Sequence, residues 1–127
     1  MTTVEPQRDG RPVLDGFIER RTEGVAGAPA MLLRVWCRWC CRWHTHGLAD
    51  SKPGDFTDRS AHCGAVKGSP YDETGYLIRV TSTPFSRIRK TMRQATTAQR
   101  SAMYGGRISP AVQRLRDQPL PTGQVPE

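Results

Sequence analysis

Apolar and polar residues alternate in three short stretches of the chain, and this alternation predicts β-strands. Residues 31–36 form the first stretch and run directly into Cys37, and residues 42–46 return as the second strand of a hairpin. Residues 76–81 form the third stretch, with apolar side chains on one side, because side chains alternate between two faces along a strand. The pattern therefore predicts a module of three strands.

A helical pattern replaces the alternation after residue 82. Thr83 fits an N-cap and Pro84 the first helical position, and apolar residues then recur every three or four positions as far as Gly105. These features predict one helix over residues 83–105. Its apolar stripe is narrow and mostly alanine, so we expect it to gain little from packing on a core.

Two other segments have ambiguous patterns. In residues 13–22 the apolar spacing of i, i+1, i+4 and i+5 fits a short helix, whereas Gly16 and the short length leave a strand open. Residues 56–63 fit a turn of helix. Together with the three strands, these segments predict a small α+β fold.

Proline, glycine and polar residues dominate both ends of the chain. We expect residues 1–12 to be a disordered leader and residues 106–127 a Pro-rich flexible tail, with a short helix at residues 111–116. Residues 13–82 then form one folded module, and residues 83–105 form the basic helix that follows it.

Composition limits the size of the core. Only 36% of the 127 residues are hydrophobic, and the mean hydropathy is -0.59. One domain with a small core is expected, and such domains often depend on a metal or a disulfide for stability. No apolar run approaches the roughly 20 residues of a membrane span, and the first residues lack a signal-peptide pattern. We expect a cytoplasmic protein with no membrane partner.

Positive charge is concentrated in the C-terminal part. Residues 1–76 contain ten basic and ten acidic residues, whereas residues 77–127 contain nine basic and two acidic residues. Such a field attracts polyanions. The predicted helix carries five of these basic side chains: Arg87, Arg89, Lys90, Arg93 and Arg100.

Metal-binding residue types are concentrated at the predicted hairpin. Residues 36–47 contain three of the four cysteines, two of the three histidines and all three tryptophans, and the remaining pair is His62-Cys63. A Cys-x-x-Cys turn brings two thiolates to one ion, and tetrahedral zinc then needs two more nitrogen or sulfur ligands. Because cytoplasmic thiols are kept reduced, a metal is favoured over a disulfide. The tryptophans are expected to cover the metal and form the small core rather than an exposed stacking platform.

The ligand set is predicted as Cys37, Cys40, His46 and Cys63. The fourth ligand has three candidates: His46 is favoured because it lies next to Gly47, where the backbone can bend toward the ion, and His44 and His62 are the alternatives. Cys41 points away from Cys40 in a strand and is predicted to be a buried thiol. A thioredoxin-like redox site is disfavoured, because it would place the second cysteine in a helix within a βαβ unit.

The chain also resembles a known group in residues 31–81, namely short uncharacterised zinc-finger-like proteins of high-GC bacteria and their phages and mobile elements. The matching motifs are Cys37-x-Trp39-Cys40-x-x-Trp43-His44-x-His46-Gly47, Arg59-x-x-His62-Cys63, Ser69-Pro70-Tyr71 and Thr74-Gly75-Tyr76. The resemblance supports the zinc site and implies no established activity, while the three predicted strands, meeting at the zinc, predict a zinc-knuckle or ribbon-like module. In that group the residue after the second cysteine is commonly glycine, where this chain has Cys41.

Two functions from different classes follow. In the first, zinc stabilises the hairpin and the basic helix contacts the phosphates of nucleic acid, with DNA favoured over RNA. In the second, the protein is an adaptor whose basic helix docks on an acidic protein partner. An enzyme is not expected, because a thiolate-rich ligand set suits a closed structural site, and no small-molecule substrate is evident.

Overall fold

A computed structural model describes residues 6–22, 30–61, 63, 66 and 68–126. Within these residues, six strands form a curled mixed sheet and four short α-helices accompany it. The strands are β1 (Gln7–Arg8), β2 (Arg11–Arg21), β3 (Ala30–Cys37), β4 (Arg42–Gly47), β5 (Phe56–Arg59) and β6 (Tyr76–Pro84). The helices are α1 (Tyr71–Thr74), α2 (Phe85–Ile88), α3 (Thr97–Tyr104) and α4 (Pro110–Arg116). The predicted α+β class is confirmed, but a three-stranded ribbon followed by a single basic helix is not observed.

The sheet has the strand order β4-β3-β2-β6-β5, and β1 pairs with β2 outside this path. Strands β2 and β6 are parallel, and the other pairs are antiparallel. The hairpin β3–β4 therefore lies at one edge, and β5 lies at the other. Strand β2 is central, with neighbours on both sides.

Residues 13–22 belong to this central strand and not to a helix. Leu14 packs on one side of the sheet and Phe17 on the other, so apolar residues occur on both faces and the simple alternation is lost. A register shift between Gly16 and Ile18 interrupts the pairing with β6. Gly16 is itself buried, and a Cβ added there would contact Leu33 at 2.8 Å and would also meet Ile78. The apolar spacing that fits a helix thus reflects a strand covered on both faces.

The N-terminal residues that the structure describes are paired and not disordered. Asp9 and Gly10 both have positive φ, at 53° and 76°, and they connect β1 to β2. Both central residues of a type I′ hairpin turn require this conformation, and Asp-Gly is among its preferred sequences. The predicted leader thus contains a hairpin, and its first five residues lie outside the described part.

The single helix predicted over residues 83–105 is absent from the described structure. Strand β6 continues to Pro84, α2 ends at Ile88, and a 3-10 turn covers Arg89–Thr91. An extended segment follows, in which the backbone N–H of Ala95 donates to the carbonyl of Cys41 at 2.9 Å. Met92 and Ala95 are buried. The helix is broken because these residues pack against the sheet and the cysteine turn.

Helix α3 starts at a capping box that the sequence analysis missed. The Thr96 hydroxyl accepts from the backbone N–H of Gln99, and the Gln99 side chain accepts from the backbone N–H of Thr96. The sequence Thr-x-x-Gln is a recognised signal for a helix start. The helix ends before Gly105, as the pattern predicts.

The C-terminal segment differs from the predicted flexible tail. Helix α4 begins after the N-cap Ser109 and buries Val112, close to the short helix predicted at residues 111–116. Farther on, the N–H of Gly123 donates to Asp15 at 2.8 Å and the N–H of Ser82 donates to the carbonyl of Gln124 at 2.7 Å. The tail is therefore packed across the central strands.

Two groups of buried residues lie on the two sides of the sheet. The tryptophan core consists of Phe17, Trp36, Trp43, Phe85 and Met92. The larger cysteine-side core includes all four cysteines together with apolar residues of β2, β3 and β6. Trp36 and Trp43 are core residues, as predicted, but they pack on the face opposite the cysteines and do not cover them. Trp39 is partly buried against the cysteine-side core.

Candidate metal centre

The hairpin β3–β4 presents its metal-binding side chains on one face. Val35 pairs with His44, and Cys37 pairs with Arg42. Because residues two apart share a face, Cys37 and His44 lie on the same side as Val35. Trp36 and Trp43 pair with each other on the opposite side.

The turn between these strands has a strained position at Cys41. Its φ is +52°, in the left-handed region that glycine adopts more readily than any other residue. The sulfur of Cys41 donates to the carbonyl of Arg38 at 3.4 Å and approaches the carbonyl of Val112 at 4.0 Å. Cys41 is fully buried and lies outside the group of four described below, in agreement with its predicted role as a buried thiol.

Four buried side chains converge on the cysteine side of the hairpin. They belong to Cys37, Cys40, His44 and Cys63, and one ligand atom from each lies within 4.8 Å of all the others. The sulfurs of Cys37 and Cys63 are 3.5 Å apart, too far for a disulfide. Two thiolates on a tetrahedral zinc, each at about 2.3 Å, would lie about 3.8 Å apart. The four residues could hold a metal ion.

Cys63 reaches this group from the connection between β5 and β6. The carbonyl of Cys63 accepts from the N–H of Val66 at 2.7 Å, and Val66 is buried. This hydrogen bond and the burial of Val66 hold Cys63 against the core. The position agrees with the prediction that a later cysteine joins the Cys-x-x-Cys pair, whereas the predicted helical turn is replaced by strand β5.

His44 occupies the position for which the sequence favoured His46. The preference for His46 assumed that the backbone bends at Gly47, but β4 continues through Gly47, which pairs with Leu32. His46 therefore stays in the strand, two residues and about 6.8 Å farther from the turn. His44 was one of the two alternatives, and the other, His62, lies outside the described residues.

The hydroxyl of Tyr76 connects the two histidines. It lies 2.6 Å from Nε2 of His46 and 3.3 Å from Nδ1 of His44. A phenolic hydroxyl can donate one hydrogen bond and accept another, so one oxygen can orient both rings. Burial, followed by the nearby thiols of Cys37, Cys63 and Cys40, raises the pKa of Tyr76. The sequence predicts only that Tyr76 lies in a strand, because its contact with His44 spans 32 residues and leaves no local pattern.

The three sulfurs differ in proton affinity because they are buried together. Burial, and then hydrogen bonds with Cys40 and Cys63, raises the pKa of Cys37 well above its usual value. A hydrogen bond with Cys37 lowers the pKa of Cys40, but the bond with Cys63 and burial prevail and raise it to about 12. Hydrogen bonds from Cys37 and Cys40 lower the pKa of Cys63. Because a metal ligand must be a thiolate, a bound cation would replace the protons of these thiols.

The basic residues predicted to share one helix are distributed over several elements. Arg87 lies in α2, Arg89 and Lys90 in the 3-10 turn, Arg93 in the extended segment and Arg100 in α3. Arg93 also lines a groove of about 260 Å³ together with Gln94, Gln99, Ala111, Arg114 and Leu115. Arg114 was not among the predicted nucleic-acid contacts, because the tail was expected to be separate from the basic segment.

None of the helices in the described residues is long and apolar enough to cross a membrane. Comparisons of the chain with protein-family models, with curated proteins and with solved structures give no match. The metal centre and the basic C-terminal part are therefore the features of this chain that bear on its function.

Proposed function

We propose that the four-residue centre binds one structural Zn²⁺ through Cys37, Cys40, His44 and Cys63. The observation that supports this is the convergence of three sulfurs and one imidazole within 4.8 Å in a buried position. Soft thiolates and an imidazole in tetrahedral geometry are a ligand set that zinc prefers. Four protein ligands fill the tetrahedron, so the ion has no open position for a substrate and its role is to stabilise the fold.

The Tyr76 hydroxyl indicates which ring nitrogen of His44 binds the ion. Metal-bound histidines commonly hydrogen-bond through the second ring nitrogen, which fixes the tautomer. Nδ1 of His44 faces the Tyr76 hydroxyl at 3.3 Å. We infer that Nδ1 donates to this oxygen and that Nε2 binds the ion.

Metal analysis of the purified protein tests this proposal. We expect one zinc per chain, and with Co²⁺ as a replacement we expect the visible absorption of a tetrahedral thiolate-rich site. His44→Ala should lose the metal, whereas its matched control His46→Ala should retain it with lower affinity. Purification with an iron–sulfur cluster, or equal metal loss in both histidine variants, would contradict the proposed site.

We further propose that the zinc-stabilised protein binds nucleic acid, with DNA favoured, through its C-terminal part. The charge distribution supports this, since residues 77–127 carry nine basic and two acidic residues. The exposed basic side chains are free to reach phosphates, and Arg93 and Arg114 line one groove with Gln94 and Gln99. Guanidinium groups bind phosphates in a bidentate manner, and glutamine can pair with adenine edges. The combination supports an accessory or regulatory nucleic-acid-binding role.

Fluorescence anisotropy with a labelled DNA duplex tests the second proposal. If about five to seven phosphates are neutralised, log K should fall against log salt with a slope of roughly -4.5 to -6.3. The double variant Arg93→Gln/Arg114→Gln should make the slope shallower by about 1.8, because two phosphate contacts are lost. The control Arg21→Gln/Lys52→Gln removes the same charge from exposed positions outside residues 77–127 and should leave the slope nearly unchanged.

A pull-down with and without nuclease separates nucleic acid from a protein partner. Loss of all co-purifying material after nuclease treatment supports nucleic-acid binding. If a specific acidic protein is retained, and both charge variants bind DNA equally, the nucleic-acid proposal fails in favour of an adaptor.

A further inference from the structure

A cavity of about 400 Å³ lies where the N-terminal hairpin β1–β2, β5 and the C-terminal tail meet. It reaches Trp36, whose side chain lies on the face of the hairpin β3–β4 opposite the metal centre. Its volume falls in the range of small-molecule sites, roughly 300–1,000 Å³. The lining residues are Pro6, Gln7, Arg8, Val13, Leu14, Asp15, Trp36, Phe56, Arg79, Leu120, Pro121 and Thr122. Seven of these twelve are apolar or proline, so the cavity suits a ligand with an apolar body.

The charged groups of the cavity leave a net positive charge. Asp15 is already bound on both oxygens, by Arg79 at 2.8 Å through two nitrogens and by the N–H of Gly123 at 2.8 Å. Arg8 lies with its guanidinium carbon 4.1 Å from the centroid of the Phe56 ring. Among the described residues Arg8 has no carboxylate partner. An anion at the cavity mouth would therefore meet one uncompensated cation.

The indole of Trp36 adds an unsatisfied donor. Trp36 is only 2% exposed, and its N–H has no acceptor among the described residues. A buried donor without a partner is unfavourable by about 1–3 kcal/mol. A ligand oxygen that reached this N–H would remove that penalty.

We propose that this cavity binds a small organic anion with an apolar body, of the aryl carboxylate or sulfonate class. The apolar body packs against Phe56 and Leu120, one oxygen of the acidic group pairs with Arg8, and another accepts from the indole N–H of Trp36. This binding is independent of the metal centre and of nucleic-acid binding, so its failure would leave both of those proposals unaffected.

Two fluorescent probes with one ring skeleton test the class of ligand. One is 8-anilinonaphthalene-1-sulfonate, and the other is N-phenyl-1-naphthylamine, which lacks the sulfonate. We expect saturable 1:1 binding of both probes to the folded protein, with the sulfonate bound about fivefold more tightly because of Arg8. Failure of the sulfonate to bind at a single saturable site, or equal affinity for the two probes, would overturn the proposal.

Exposed positions supply variants that should fold normally. Phe56→Ala should weaken both probes about tenfold, because the ring forms one wall, whereas Ile108→Ala removes a similarly exposed apolar side chain elsewhere and should have no effect. Phe56 and Ile108 are 41% and 38% exposed.

Arg8→Gln should weaken the binding of the sulfonate probe only, to the affinity of the neutral probe, and the control Arg107→Gln should change the affinity of neither probe. Equal effects within either pair would place the probe outside this cavity.

Trp36→Phe tests the indole N–H of Trp36, and Trp39→Phe is its matched control. Trp36→Phe keeps most of the packing and removes the N–H, and we expect about a fivefold weaker affinity for the sulfonate. The indole N–H of Trp39 also lacks an acceptor among the described residues, but Trp39 does not line the cavity. Trp39→Phe should therefore leave the affinity unchanged, and an equal loss in both variants would exclude the hydrogen bond to Trp36.

Discussion

The sulfur of Cys37 lies 3.5 Å from the sulfur of Cys63 across 26 residues of sequence. Cys37 ends β3, in the hairpin at one edge of the sheet, whereas Cys63 follows β5 at the other edge. The contact is possible because the sheet is curled. An ion bound by these sulfurs would therefore connect the two edges of the sheet, and this accounts for how a chain with a small apolar fraction could keep a closed fold.

This arrangement predicts that loss of Cys63 is more damaging than loss of Cys41, although both are buried. Cys63→Ser should abolish stoichiometric zinc and lower the free energy of unfolding by about 4 kcal/mol or more, because a structural metal contributes directly to folding. Cys41→Ser should keep the zinc and lose about 1–2 kcal/mol. Metal analysis and urea denaturation of the two variants measure this difference. Retained zinc in Cys63→Ser would exclude Cys63 as a ligand.

The Tyr76 hydroxyl should affect metal affinity without touching the ion. Tyr76→Phe removes the oxygen that lies between His44 and His46, and zinc affinity should fall about 10- to 100-fold, as for other groups that orient a metal-bound histidine. Competition with a chromophoric chelator measures the affinity. Tyr104→Phe is the control, because Tyr104 is exposed. An unchanged affinity in Tyr76→Phe would show that the hydroxyl does not orient His44.

Replacing glycine by alanine should lower the stability of the protein at Gly16, in the central strand, but not at Gly47. A Cβ at Gly16 would lie 2.8 Å from Leu33 and would also meet Ile78, whereas a Cβ at Gly47 would contact nothing within 4 Å. Gly16→Ala should therefore lower the free energy of unfolding by about 1–3 kcal/mol through overpacking, and Gly47→Ala should be neutral or slightly stabilising. Urea denaturation at constant zinc gives both values. Equal stability of the two variants would mean that β2 can shift away from its neighbours.

The hairpin could be predicted from the sequence because its determinants are local. Alternation along residues 31–36 and 42–46 placed both strands within a residue or so of β3 and β4. The period of two also placed His44 and His46 on one face. The period could not show which of the two histidines joins the cysteines, because this depends on whether the strand bends at Gly47.

Features that depend on distant contacts were not predictable in this way. Strand β2 is parallel to β6, and about 60 residues separate the pair Val13 and Leu77. The basic segment has a helical pattern, yet the hydrogen bond from Ala95 to Cys41 holds its middle in an extended form. Tertiary packing overrides local propensity at such positions.

The left-handed conformation at Cys41 predicts that replacement by glycine is less destabilising than replacement by alanine. Both Cys41→Gly and Cys41→Ala remove the buried sulfur, but only alanine retains a Cβ at a φ of +52°, where a side chain costs about 1–2 kcal/mol. Glycine loses about 0.5–1 kcal/mol of that advantage through the entropy of the unfolded chain. Cys41→Gly should therefore be more stable than Cys41→Ala by up to about 1.5 kcal/mol, in urea denaturation with zinc bound to both. The reverse order, with alanine more stable, would mean that the turn relaxes out of the left-handed region once the sulfur is gone.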